Sequence, residues 1–233
     1  DGLPPVERPM IPGHGPGLEY AERKTEARKQ GKDIPGGTPF VWGSTGREDE
    51  EEEDGRIAEQ AIRILNQKQD KPLFLALGFH KPHLPFRAPG KYFDLYPPES
   101  MPLPDNPDDD LDDTPYDSIH RDQASLTPET WREAIAAHHA CLSFTDAQVG
   151  KVLDALKESG RAKDTIVVLW SDHGFMLGEH FLWRKPHLFD ICARVPMLMR
   201  VPGVTSPGTV CPRPTEQIDI FPTLFDLCDI PMP

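Results

Sequence analysis

The apolar run Thr165–Trp170 (TIVVLW) stops abruptly at Ser171-Asp172-His173-Gly174, and no other junction constrains the fold of this chain as tightly. A short, β-branched run bounded by polar and small residues reads as a buried strand leaving the core. Just before it, Thr127-Pro128 marks a helix start, with proline at the first helical position, where its missing N–H does no harm. Trp131, Ile135, His138, Leu142, Gln148 and Val152 carry that helix to Ser159, and Gly160 offers a left-handed terminator. Upstream, Ile57, Ala61, Ile64 and Leu65 share one face of an amphipathic helix over Gly55 to about Gln69, with Asp54 as its N-cap. Leu73–Phe79 (LFLALGF) reads as another buried strand and Val195–Val201 as a third. A last helix is expected to start at Asp219 and bury Phe221, Leu224, Phe225 and Cys228. Strand, long helix, strand, loop, strand, helix is an α/β order.

The rest of the chain is loop-rich. Its 233 residues suffice for one substantial core, yet 27 are proline, roughly twice ordinary usage. The prolines gather in residues 4–39, 72–115 and 186–233, which suggests long ordered loops. Residues 1–46 read as irregular, tied down by Phe40, Val41 and Trp42, and residues 82–125 read as a proline- and aspartate-rich excursion that covers or serves a site. The net charge of -13 is local: residues 48–54 hold seven acids and 105–113 hold six. Removing those thirteen from 38 leaves 25 acids, equal to the 25 lysines and arginines. Both runs read as solvated loops, with a calcium site in the second as the less favoured alternative. Cys141, Cys192, Cys211 and Cys228 form no CxxC pair and read as buried or incidental thiols. No stretch is long and apolar enough for a membrane span, no nucleic-acid partner is expected, and the start at Asp1 and the far end both read as cut.

Chemistry-bearing residues gather at two strand ends, where ligands bind in open α/β sheets. After LFLALGF comes His80-Lys81-Pro82-His83; proline biases Lys81 toward an extended conformation, so Lys81 and His83 should project to a similar side. An ammonium and an imidazole together suit a sulfate or phosphate oxyanion, against the plainer reading of a histidine that caps buried carbonyls. After TIVVLW come Asp172 and His173, a hard oxygen and a nitrogen donor, with Gly174 letting the backbone come close to a bound group. A structural Asp–His pair is the alternative. Glu179, His180 and Lys185 follow, whereas His138-His139 on the long helix reads as structural.

The strings LFLALGFHKPHLPFRAP, FTDAQVGKVLDALKESGRAKDTIVVLWSDHGFMLGEHFLWRK, ARVPMLMRVPG and IDIFPTLFDLCDIP, in this order and spacing, resemble the type I sulfatases of the alkaline phosphatase superfamily, in the iduronate-2-sulfatase-like branch. The resemblance implies part of an alkaline phosphatase-like domain, its central, mostly parallel sheet flanked by helices. Residues 1–54 would be a loop region, and 55–233 the C-terminal portion of the catalytic domain with an insertion at about 82–125. It implies hydrolysis of sulfate esters, of sulfated sugars or polysaccharides, with a divalent cation, calcium in many sulfatases, and a secreted, periplasmic or lysosome-like setting. Position by position, Asp172 and His173 match metal ligands, His83 and Lys185 match residues that contact the sulfate, and Lys81 resembles a supporting position in substrate binding. Glu179 and His180 fall where relatives approach the sugar.

Three family elements are missing from the sequence: the nucleophile motif, the paired aspartates that would complete the metal shell, and a lysine and histidine pair expected between the nucleophile and HKPH. Sulfatases attack sulfur with a formylglycine made from the cysteine or serine of Cys-x-Pro-x-Arg, and Cys211-Pro212-Arg213-Pro214-Thr215 has the wrong order. The expectation is therefore an internal fragment whose nucleophile lies outside it and which is inactive alone. A phosphoesterase or phosphonate hydrolase of the same superfamily and a non-catalytic binder of sulfated glycans are the alternatives.

Overall fold

A computed structural model describes residues 13, 15–30, 40–68, 70–115 and 126–233. The elements are helix α1 (Leu18–Lys29), strand β1 (Trp42–Ser44), α2 (Glu53–Asn66), β2 (Phe86–Ala88), α3 (Gly90–Phe93), α4 (Pro128–Glu158), β3 (Val167–Trp170), β4 (Met176–Leu177), β5 (Trp183–Arg184), α5 (Asp190–Ala193), β6 (Met197–Arg200) and α6 (Ile220–Leu227). The class is α/β, as the order of elements suggested. Among the described residues the sheet is present as three two-stranded pieces: β1 with β2 in parallel, β3 with β6 and β4 with β5 antiparallel.

Helix α4 organises the core. Thr127 caps it, its hydroxyl accepting from the Thr130 N–H at 3.3 Å, and it ends at Ser159 before Gly160 in the left-handed region, as the sequence signals required. Its buried face is mostly small: Ala134, Ala136, Ala137, Ala140 and Cys141 leave room for α2 and β2 to approach, and Phe144 fills the space beside them. Phe40, Trp42, Phe86 and Trp183 complete this cluster in edge-to-face ring contacts, so the aromatic anchor at 40–42 is buried as expected.

The first acidic run is not a solvated loop. Residues 49–51 form a 3-10 turn leading into α2, and Asp49 and Asp54 are buried, at 3% and 2% exposure. Asp49 receives Lys91 at 2.8 Å, the Tyr92 hydroxyl at 2.8 Å, and Gln148 and Lys151 at 3.1 Å, linking α3 to α4. Burial alone would raise its carboxyl, but these four partners outweigh it and bring it down to about 2. Glu52, not Asp54, occupies the N-cap of α2. Residues 1–46 are also less irregular than read, since they contain α1 and β1.

The apolar strands are less covered than their composition promised. Leu73–Phe79 joins no ladder among the described residues, and Phe74 is 83% exposed. In the β3–β6 pair Trp170 and Leu198 are 48% and 59% exposed, and α6 buries none of its residues, Phe221 included. A strand composition gives burial only where another layer covers the face, and among the described residues that cover is partial: Leu75 and Val167 pack against Leu65, Ala155 and Leu156 of α2 and α4. No helix among the described residues is long and apolar enough to cross a membrane.

Candidate functional site

The loop His80–His83 is held from below by α2. Asp54 lies in the first turn of that helix on its buried face, and its two oxygens accept the backbone N–H groups of His80 at 2.8 Å and Lys81 at 2.9 Å. The Thr145 hydroxyl of α4 reaches the Lys81 carbonyl at 3.1 Å. The side chains of Lys81 and His83 both turn onto carbonyls of their own loop. The Lys81 ammonium folds back onto the carbonyls of His83 and Pro85 at 3.1 and 2.7 Å, so it shapes the loop. His83 Nδ1 pairs with the Leu84 carbonyl at 2.6 Å, which leaves its Nε2 with no protein partner among the described residues. The His80 ring lies 5.0 Å from that of His83; burial, then the charges of Lys81 and His83, hold His80 below its ordinary range and favour the neutral ring.

At the exit of β3, Asp172 and His173 are brought together. His173 Nδ1 donates to the Gly174 carbonyl at 2.7 Å, which fixes the ring and sets Nε2 3.4 Å from Asp172 Oδ2. The Asp172 side chain is 81% exposed. Gln217, just before α6, donates its amide to the carbonyls of Ser171 at 2.8 Å and Asp172 at 3.0 Å and pins this exit. Gly174 serves a close approach of another kind than expected: its N–H bonds the Cys192 carbonyl at 2.8 Å, and a Cβ there would overlap the Ile191 carbonyl oxygen. One carboxylate and one imidazole on one side fit two positions of a divalent-cation shell. Among the described residues no group of three or more His, Cys, Asp or Glu side chains forms a complete set.

The hairpin of β4 and β5 carries the remaining candidates. Gly178, at φ 112°, sits against the Trp131 indole, whose Nε1 donates to the Leu177 carbonyl at 2.6 Å; a side chain at 178 would collide with that ring. Glu179 accepts the Leu177 N–H at 2.6 Å, and His180 stacks on Phe189 with ring centres 4.2 Å apart. Both line a cleft of about 510 Å³ with Phe189, Asp190, Ile191 and Arg194. Lys185 is half-buried, and no hydrogen bond or ion pair joins it to His83, Asp172 or His173. His138 is structural: buried at 8% exposure, it stacks on Phe175 and meets Phe86 edge-on, and burial, with His139 adding a smaller effect, pushes it down to about 4.

Sequence reasoning missed Asp54, Gln217 and the residues of the second acidic run that reach His180. For Asp54 a signal was present. Asp54, Ala58, Ala61 and Leu65 recur at i, i+4, i+7 and i+11, and all four are buried, so the acid belongs to the apolar stripe.

Comparison with known proteins adds three findings. A family model described as Sulfatase matches residues 13–230. Among curated proteins, the chain is 38% identical over 200 residues to a sulfatase of Formosa agariphila, covering 82% of this chain and 39% of that protein, and 34% identical over 222 residues to mouse iduronate 2-sulfatase, covering 77% and 40%. Among solved structures it resembles the phosphonate monoester hydrolase SpPMH from Silicibacter pomeroyi, with a TM-score of 0.73 and 27% identity over 93% of this chain and 48% of that one. The chain thus spans about two fifths of the length of these curated relatives.

Proposed function

The chain belongs to the sulfatase family, and from that membership we propose that the protein carrying it hydrolyses sulfate esters of sulfated sugars or polysaccharides. The observation that carries this reading is the coincidence of the family match with two loops that present polar groups: one leaves His83 Nε2 with no protein partner among the described residues, and the other carries the largely exposed Asp172 beside His173. His83 and Lys185 are assigned to the sulfate. An imidazole nitrogen can donate to a sulfuryl oxygen or protonate the departing alcohol, and the Lys185 ammonium stabilises charge that builds on oxygen in a site drier than bulk water. Lys81 acts one step back, keeping the His83 backbone in place through its two carbonyl bonds. Glu179 and His180 face the sugar.

Asp172 and His173 would hold a divalent cation, calcium by family resemblance, with the other ligands supplied from elsewhere in the protein. Such a cation neutralises negative charge on the substrate oxygens. The nucleophile, a formylglycine in this family, is assigned to residues outside this chain. Among the four thiols, Cys141 is fully buried and its burial pushes it up to about 12, Cys192 is buried, and the exposed Cys211 and Cys228 lack the required motif. We likewise take residues 55–233 as the C-terminal portion of the catalytic domain and 1–54 as a separate region that precedes it.

The likeness to a phosphonate monoester hydrolase keeps a second reading in play. The protein carrying this chain should release 4-nitrophenol from 4-nitrophenyl sulfate at least tenfold faster than from a 4-nitrophenyl phosphonate monoester, and chelation should stop it. The reverse preference would establish the second reading. Turnover of the sulfate ester by residues 1–233 alone would refute the external nucleophile, and retention of sulfated glycans without any turnover would mark a binding protein.

A further inference from the structure

The second acidic run, which reads as solvent-facing, grips the turn that presents Glu179 and His180. Asn106 makes two bonds to it: its Nδ2 donates to the Gly178 carbonyl at 2.8 Å and its Oδ1 accepts the His180 N–H at 3.0 Å. Asp110 Oδ2 lies 2.7 Å from His180 Nδ1, and Leu111 packs beside the buried Met176, Leu182 and Cys192. Four contacts from one short segment converge on one turn. His180 itself has φ 55°, a left-handed conformation that a non-glycine residue keeps only where its surroundings impose it.

This arrangement sets the chemistry of the ring. An ionised carboxylate only accepts, so the hydrogen of a neutral His180 ring sits on Nδ1 and the lone pair on Nε2. Stacking on Phe189, with the planes 16° apart, fixes the rotation of the ring, and Nε2 has no protein partner among the described residues. The cleft that His180 lines pairs the apolar Phe189 and Ile191 with Glu179, Asp190 and Arg194. A sugar has the matching character, with C–H faces for the apolar wall and hydroxyls for the polar groups.

We propose that Asn106 and Asp110 are positioning residues for carbohydrate specificity: they lock the His180 turn so that Nε2 accepts a hydrogen bond from a hydroxyl of the sugar in this cleft. The inference rests on the sulfatase reading and deepens it, because it assigns sugar selection to a segment that touches neither the sulfate-contacting nor the metal-binding candidates.

The test compares wild type with Asn106→Ala, Asp110→Ala and the conservative Asp110→Asn in the protein carrying this chain. Two substrates are used: 4-nitrophenyl sulfate, and whichever of a panel of sulfated monosaccharides wild type turns over best. The two alanine variants should raise KM for the sugar about tenfold with kcat nearly unchanged, and Asp110→Asn, which keeps an acceptor, should recover part of the loss. All three should stay within twofold of wild type on 4-nitrophenyl sulfate. Long-range 1H–15N spectra should show His180 as the Nδ1–H tautomer in wild type and a shift toward Nε2–H in Asp110→Ala. Equal losses on both substrates, unchanged sugar KM, or an Nε2–H tautomer in wild type would overturn the proposal while leaving the sulfatase reading intact. Failure of wild type on both kinds of ester would end that reading, and this inference with it.

Discussion

Replacing Asp54 by alanine should loosen the His80–His83 loop selectively. The side chain is 2% exposed, and its carboxylate holds two backbone N–H groups, 2.8 and 2.9 Å away. A hydrogen bond to an ionised group contributes about 1.5–3 kcal/mol, and removing one buried partner exposes the other to most of its desolvation penalty. The two bonds share one carboxylate and the loop side is partly open to water, so their losses are not additive; the expected cost is about 3 kcal/mol. Asp54→Asn should also destabilise, because one N–H would then face an NH2 group. Urea unfolding with linear extrapolation measures the global loss. Amide exchange separates the local from the global effect: the His80 and Lys81 amides should lose protection beyond what the global change explains, whereas Ala140 in the middle of α4 should follow the global value. A loss below about 1 kcal/mol with both loop amides still protected would refute the claim that this acid positions the loop.

The acid side of the stability profile should fall in two separable steps. His138 is held neutral, lowered from 6.5 to about 4, so its contribution of about 3 kcal/mol is present above pH 6.5 and is lost as pH falls toward 4. Asp49, lowered from 3.8 to about 2, contributes about 2 kcal/mol above pH 3.8, lost as pH falls toward 2. His138→Phe, which suits the ring contacts with Phe86 and Phe175, should flatten the first step in urea midpoints and leave the second; an unchanged slope between pH 6.5 and 4 would dismiss this cause. Gly178→Ala should cost about 2 kcal/mol or more, through its positive φ and the overlap with Trp131, and should quench or shift indole fluorescence; a neutral substitution would mean that the turn does not need this packing.

Much of the fold was legible because local chemistry decided it. The bounds of α4 follow from a hydroxyl, a proline and a glycine acting over a few residues, and nothing distant needed to be known. Asp172 and His173 were legible for a related reason: adjacent in sequence and set at a strand exit, they meet through local backbone geometry. Lys81 and His83 show where local reasoning stops. The dipeptide pattern offers both to a ligand, but two carbonyls lie within reach of the Lys81 ammonium, and that competition depends on the fold of the whole loop.

The acidic runs expose a different blind spot, one of kind rather than of distance. Net charge describes how a segment interacts with solvent on average, whereas function here rests on single acids that leave the average. Of the seven acids in residues 48–54, Asp49 and Asp54 turn inward because each meets donors that α3, α4 or the histidine loop would otherwise leave unsatisfied. In the second run Asn106 and Asp110 do the same for the His180 turn, while Asp108 and Asp109 beside them remain exposed. A charge run is therefore better read position by position against helix and turn periodicity than as a block. By that standard Asp54, spaced with Ala58, Ala61 and Leu65, was distinguishable from its neighbours before any coordinate was known. Asp110 was not, because no regular period links it to the turn seventy residues away.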